Sequence, residues 1–247
     1  MNTYKTAQIA EIMGVHPNTV RLYEDLGLIP KAERQQNGYR VFTDLHLEQF
    51  RLARLAFQIE VLQNGLRKKI VKMVKTSAAS DYDRALQLIQ EYILQLQEER
   101  NNAEEAIDIV KRLLDGELVI NRLSMKRKEV SEYLNISMDT LRNWEMNGLL
   151  SVKRKENGYR IYRDEDIRQL KIIRSLRCAN YSLESILRML NALSSNPNVN
   201  LKEVLNTPTK NEEIISVCDK LIDSLNTAES NAQIMINQLH NIKNRFH

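Results

Sequence analysis

The sequence predicts a mostly α protein in which two winged helix-turn-helix domains are each followed by a long heptad helix, the two long helices pairing as an antiparallel coiled coil. Three observations carry this. The stretch Thr19-Val20-Arg21-Leu22-Tyr23-Glu24-Asp25-Leu26-Gly27-Leu28-Ile29 returns 121 residues later as Thr140-Leu141-Arg142-Asn143-Trp144-Glu145-Met146-Asn147-Gly148-Leu149-Leu150, and self-similarity at a fixed spacing marks a duplicated structural unit. A second block, Asn37-Gly38-Tyr39-Arg40-Val41-Phe42-Thr43-Asp44, returns 120 residues later as Asn157-Gly158-Tyr159-Arg160-Ile161-Tyr162-Arg163-Asp164. Each copy leads into a stretch whose apolar residues recur at alternating steps of four and three, the mark of a helix that buries one seam. The expected boundaries are 1–76 and 123–195 for the winged domains and 80–116 and 209–247 for the long helices.

Taken in order, Ala7, Ile9, Ala10, Ile12 and Met13 fit one face of a short helix that ends at Gly14. Pro17 suits the first turn of the next helix, where a missing N–H costs nothing, and Val20, Leu22, Tyr23 and Leu26 carry its apolar stripe to Gly27. Asn37-Gly38 tolerates the positive φ of a tight hairpin and precedes the β-formers Tyr39, Val41 and Phe42, which predicts a small wing. Thr43-Asp44 can cap a helix through Leu55, and a further helix runs from about Leu66 to Val74. The second half repeats this order with helices at Arg127 to Leu134 and Ser137 to Met146, a wing at Lys153 to Gly158, a helix capped by Asp164, and another starting at Ser182.

The first long seam reads Tyr82, Leu86, Ile89, Ile93, Leu96, Arg100, Ala103, Ile107, Val110 and Leu114. The second, after a capping box of Thr209 and Glu212, reads Ile214, Cys218, Leu221, Leu225, Ala228, Ala232, Met235, Leu239, Ile242 and Phe246. The short connection from Leu114 to Leu123 places the end of the first long helix near the second module, where the second long helix begins, so pairing within one chain is antiparallel and sets Arg100 opposite Ala228.

Composition narrows the function. Lys and Arg number 36 against 32 Asp and Glu, a formal +4 that suits an anionic partner without identifying one. Cys178 and Cys218 make no disulfide framework and no paired metal-ligand spacing, so a reduced, cytoplasmic protein without metal or cofactor is expected. No apolar run reaches membrane-spanning length and Met1-Asn2-Thr3-Tyr4-Lys5 has no signal-peptide character. There is no phosphate-cradling glycine run, no HExxH and no nucleophile pattern around the four histidines, so an enzyme is not expected.

In a helix-turn-helix the second helix enters the major groove and polar residues near its start meet base edges. The exposed candidates are His16, Asn18, Thr19 and Arg21 in the first module and Ser137, Asp139, Thr140 and Arg142 in the second. The wings add Arg34, Tyr39, Arg40, Lys153, Arg154, Lys155, Tyr159 and Arg160, whose cations are placed to neutralise phosphates. Tyr23 and Trp144 can each donate one hydrogen bond to phosphate from a packed ring, or serve as core anchors.

The pattern T-h-R-x-aromatic-E, then Gly-Leu, then N-G-Y-R-h-aromatic-x-D, resembles the MerR family of bacterial transcription regulators, over nearly the whole chain and twice. The resemblance implies winged helix-turn-helix domains, a long antiparallel dimerisation helix, and binding to double-stranded promoter DNA that is distorted to switch transcription, with RNA polymerase as a further partner. By position it makes Arg21, Tyr23, Arg40, Arg142, Trp144 and Arg160 DNA contacts. Members usually carry one module per chain and form homodimers, whereas two are fused here, so the chain resembles a pseudo-dimer. The cysteines of the family's metal sensors are missing at the corresponding places, and no separate ligand-binding domain is expected after the second long helix. Because His16-Pro17-Asn18 differs from Ser137-Met138-Asp139, the two half-sites should differ. Two alternatives stay open: an excisionase-like factor that bends DNA, and a small-molecule sensor or sequestering protein. So do an effector, a homodimer, and thiol sensing by Cys178 if it is partly exposed.

Overall fold

The structure is a computed structural model, and it describes residues 2–58, 64–114, 124–152, 160–194 and 210–246. The chain divides into two compact units, Met1–Gln97 with Leu225–His247, and Glu98–Ser224. The two long helices each give one part to each unit.

Unit 1 begins with β1 (Thr3–Tyr4), α1 (Thr6–Met13) and α2 (Pro17–Asp25). Gly14 closes α1 at φ +61, a left-handed conformation that glycine adopts without steric cost, and Val15 then bonds back to the Ala10 carbonyl at 2.9 Å. The wing follows as β2 (Glu33–Arg34) and β3 (Arg40–Thr43), joined through Asn37-Gly38 as expected. β3 also pairs with β1, Thr3 against Thr43 and Tyr4 against Phe42, so the N-terminal residues, read from sequence only as polar, form an edge strand. A two-residue strand lies below the length at which alternation can be read. α3 (Asp44–Ala56) and α4 (Leu66–Ala78) complete the module.

The core under this helix-turn-helix and wing is Ile9, Ala10, Val20, Ile29, Phe42, Leu47 and Phe50. At Asp44 three parts of the unit meet: the Asn2 backbone N–H donates at 3.0 Å and the Tyr4 hydroxyl at 2.8 Å, with Arg245 at 3.8 Å. These contacts, the Asn2 N–H foremost, hold its carboxyl below the usual range.

α5 (Tyr82–Leu114) and α10 (Lys210–Phe246) are the two long helices. In unit 1 Asp83 pairs with Lys243, and Gln97 donates to Glu229 at 2.6 Å, so the partner number falls as α5 is climbed and the helices run antiparallel there. The expected α10 seam is found buried from Cys218 to Ile242. The α5 seam is displaced. Tyr82, Ile89, Leu96, Ala103, Ile107 and Val110 are buried as expected, but Ala85, Tyr92, Glu99 and Ala106 are buried too, while Leu86, Ile93 and Arg100 are only half-buried. The two frames share Tyr82, Ile89, Leu96, Ala103 and Val110; of the second set, Glu99 meets Arg174 and Ala106 lies in the unit 2 core, which widens the buried face beyond a two-helix seam.

Unit 2 repeats the module as β4 (Ser124–Lys126), α6 (Arg127–Tyr133), α7 (Met138–Met146), β5 (Ile161–Arg163), α8 (Asp164–Cys178) and α9 (Leu183–Ser194). Asn135, at φ +50, takes the left-handed place that Gly14 holds in unit 1. β4 and β5 pair from Ser124 against Arg163 to Lys126 against Ile161. The helix expected to be capped by Asp164 is capped by Arg163 instead: its N–H donates to Asp166 at 2.7 Å, and Asp164 is the first helical residue. Trp144, Leu141, Tyr162, Leu170 and Ile173 centre a core that Ile107, Val110 and Cys218 of the long helices also enter. Cys178 is fully buried, and burial pushes both thiols up, Cys218 to about 12, which removes the thiol-sensing alternative. Among the described residues, no helix is long and apolar enough to cross a membrane. The expected capping residue Thr209 lies outside the described residues.

Candidate nucleic-acid interface

The second helix of each module starts with a set of exposed polar side chains that are tied to one another. His16 caps α2, its Nδ1 accepting the Asn18 N–H at 3.2 Å, and Asn18 Oδ1 accepts from Arg21 at 3.0 Å. His16, Asn18 and Arg21 are exposed and Thr19 is half-buried. In α7, Ser137 caps by accepting the Thr140 N–H at 3.0 Å and bonds the Thr140 hydroxyl at 2.8 Å. Ser137, Asp139 and Arg142 are exposed. A capped N-terminus directs its side chains outward because the cap itself stays outside the helix.

The wing is fastened to this helix by a buried carboxylate that sequence reading passed over. Glu24, 7% exposed, lies at the end of α2; its Oε1 accepts the Ala32 N–H at 3.1 Å and its Oε2 pairs with Arg40 Nε. A second carboxylate, Asp25, lies 3.8 Å from Arg40. In unit 2, Glu145 occupies the same place and pairs with Arg160 at 3.0 Å and Arg127 at 2.6 Å, while the Tyr162 hydroxyl donates to it. Arg40 and Arg160, expected at phosphates, thus face a buried carboxylate on their own module, where removal of the half-buried arginine would leave that carboxylate short of a donor. The signal was present: the repeat keeps Glu after the aromatic residue in both copies.

Trp144 is 4% exposed and its ring is a core element. Tyr23 is half-buried, stacked on Phe50 with centroids 4.4 Å apart and rings 11° from parallel, an arrangement that fixes the ring plane and leaves its edge at the surface. On the wing, Arg34 is exposed and donates to the Gly38 carbonyl at 3.3 Å, and Tyr39 is 72% exposed. The structure therefore brings His16, Asn18, Thr19 and Arg21 together on one helix start, with Arg34 and Tyr39 on the adjoining wing. Lys153, Arg154, Lys155 and Tyr159 lie outside the described residues.

Residues 5–42 match the MerR family regulatory protein model and residues 125–193 the MerR HTH family regulatory protein model. Among relatives, the HTH-type transcriptional regulator CueR of Escherichia coli is 38% identical over 53 residues, 22% of this chain and 39% of its own length. The HTH-type transcriptional activator mta of Bacillus subtilis is 26% identical over 143 residues, 56% of this chain and 54% of its own. The HTH-type transcriptional regulator ZntR of Escherichia coli is 35% identical over 63 residues, 25% of this chain and 45% of its own. The chain thus matches only part of each relative's length, and no solved structure matches it significantly. With one match on each module, the comparisons support a MerR family regulator that carries two MerR-like helix-turn-helix modules.

Proposed function

We propose that the chain is a sequence-specific DNA-binding transcription regulator that acts as a pseudo-dimer, its two modules reading two non-identical half-sites of a promoter. One observation carries the reading: both modules hold an arginine, Arg40 or Arg160, against the second helix through the same buried glutamate, while the exposed side chains at the start of that helix differ, His16, Asn18 and Arg21 against Ser137, Asp139 and Arg142. A shared scaffold with different base-facing residues suits two related but distinct sequences. The two long helices, paired as an antiparallel coiled coil, would hold the half-sites at a set separation, and RNA polymerase at the same promoter is the further partner. Lys68, Lys72 and Lys75, which line an open groove along α4, add cationic surface.

The reading is tested on duplexes selected by the protein from a random library, with affinity measured by fluorescence anisotropy against salt. Arg21→Ala and Arg142→Ala should each weaken binding and lower the slope of log affinity against log salt by about one. Selected sites with two identical arms would refute the asymmetric-operator part, and unchanged slopes in both variants would remove these arginines from the interface.

A further inference from the structure

In unit 2 a single buried guanidinium joins three elements. Arg174 of α8 is 4% exposed; Nη1 and Nη2 donate to the two carboxylate oxygens of Glu99 on α5 at 2.7 and 2.9 Å, and Nε donates to the carbonyl of Leu134, the last residue before the α6–α7 turn, at 2.8 Å. Glu99 is itself 2% exposed. One turn earlier on α8, Lys171 pairs with Glu105 of α5, donates to the Tyr133 hydroxyl at 3.0 Å and sits 5.0 Å from the centroid of that ring. Asn135, the left-handed residue of the turn, donates to Glu98 of α5 at 3.4 Å. Tyr133, Leu134 and Asn135 are thus all linked to α5, the first two through cations of α8. Sliding the turn along α5 would part a bidentate buried pair, which keeps only one arrangement favourable.

We propose that Arg174 and Lys171 are positioning residues through which α5 sets the placement of the unit 2 helix-turn-helix; the inference rests on α7 being a DNA-reading helix. Among the described residues, unit 1 shows no equivalent of this bridge. The counterparts of Tyr133 and Asn135 in the repeat are Ile12 and Gly14, which carry no side-chain hydrogen-bonding group, and the counterpart of Arg174, the donor to the Leu134 carbonyl, is Arg54, which is exposed on α3. There the long helix α10 reaches α3's end through Asn231, which donates to Gln58 at 3.4 Å. The second half-site is therefore read by a module whose helix-turn-helix turn is tied to a long helix, whereas the first module meets the long helices through Asp44, Gln58 and Lys69, away from that turn.

The test uses the full chain and two readouts. In Glu99→Gln, which keeps the shape and removes the charge, amide hydrogen exchange across residues 131–141 should accelerate about tenfold while residues 10–20 stay unchanged. Lys171→Met, at the rim of the same bridge, should act in the same direction and less, and serves if Glu99→Gln does not reach the wild-type helical circular dichroism. On a duplex selected by the wild-type protein, the footprint over the unit 2 half-site should weaken and that over the other half-site persist. Equal acceleration in both modules, or none in either, overturns the proposal. A wild-type chain that selects no duplex overturns the DNA reading alone, since hydrogen exchange still decides whether the bridge holds the turn.

Discussion

Glu24 and Glu145 stand at the same place in the repeat and pair with equivalent arginines, Arg40 and Arg160, yet their other donors differ. Glu24 is held by a backbone N–H of Ala32 and by Arg40; Glu145 is held by Arg160, Arg127 and the hydroxyl of Tyr162, where unit 1 has Phe42. Duplication preserved the acceptor, and each copy recruited the donors its own surroundings supplied. The carboxylate is the part that sequence must keep, because any buried charge needs donors but is indifferent to which residues provide them. The same divergence shows in charge. Unit 1 holds 15 Lys and Arg against 11 Asp and Glu, unit 2 holds 21 against 21, so the whole positive excess sits with the first module. In the proposed complex the sequence-independent part of affinity would come mainly from that side.

The largest test of the comparison is Trp144→Ala. It empties the centre of the unit 2 core and should cost about 4 kcal/mol in urea unfolding, with hydrogen exchange rising in unit 2 and not in unit 1. Glu145→Gln should follow at about 3 kcal/mol and Glu24→Gln at about 2 kcal/mol, since three donors share a neutral amide in place of a carboxylate in one case and two in the other. Equal costs would mean that the extra donors of Glu145 contribute nothing. Tyr162→Phe makes unit 2 resemble unit 1 at this point and should cost about 1 kcal/mol, the net value of one hydrogen bond to a buried group.

The smallest effect is a difference in response to acid. At the third residue of α3 unit 1 has His46, and at the matching place of α8 unit 2 has Asp166; each accepts the N–H of the capping residue, Thr43 at 3.0 Å and Arg163 at 2.7 Å. Burial disfavours the charged form of both, so His46 lies below its ordinary 6.5 and Asp166 above its ordinary 3.8. For His46 the unfolded chain binds the extra proton, so its contribution is intact above pH 6.5 and is lost as pH falls from there toward its depressed value. For Asp166 the folded form takes up the proton first, so unit 2 gains stability as pH falls toward 3.8. Hydrogen exchange followed from pH 7 to pH 5 should loosen unit 1 before unit 2, and His46→Gln should abolish the difference over that range. An unaltered difference in His46→Gln would place its origin elsewhere.

Much of the architecture was legible because short-range chemistry specifies it. Pro17 at a helix start, Gly14 at a turn, Asn37-Gly38 at a hairpin and the burial of Cys218 through Ile242 along α10 all follow from backbone sterics and helical period. The exposed candidates at the starts of α2 and α7 were legible for the same reason, since capping residues fix which side chains point away. Arg40, Arg160 and Trp144 were legible only as residue types. Whether an arginine faces solvent or a buried carboxylate depends on a residue 15 or more positions away in the chain.

The sequence by itself determined that there are two modules and which helices each contains, because these are properties of contiguous segments. Only the tertiary structure decided which face of α5 turns inward, what Glu24 and Glu145 hold, and that Arg174 ties a long helix to a helix-turn-helix. Tyr82, Ile89, Leu96, Ala103 and Val110 satisfy two heptad frames equally, and the choice between Glu99 and Arg100 as the inward residue falls to the surroundings. A buried carboxylate is tolerable only where a cation on another element meets it, and no local pattern in the chain records that meeting.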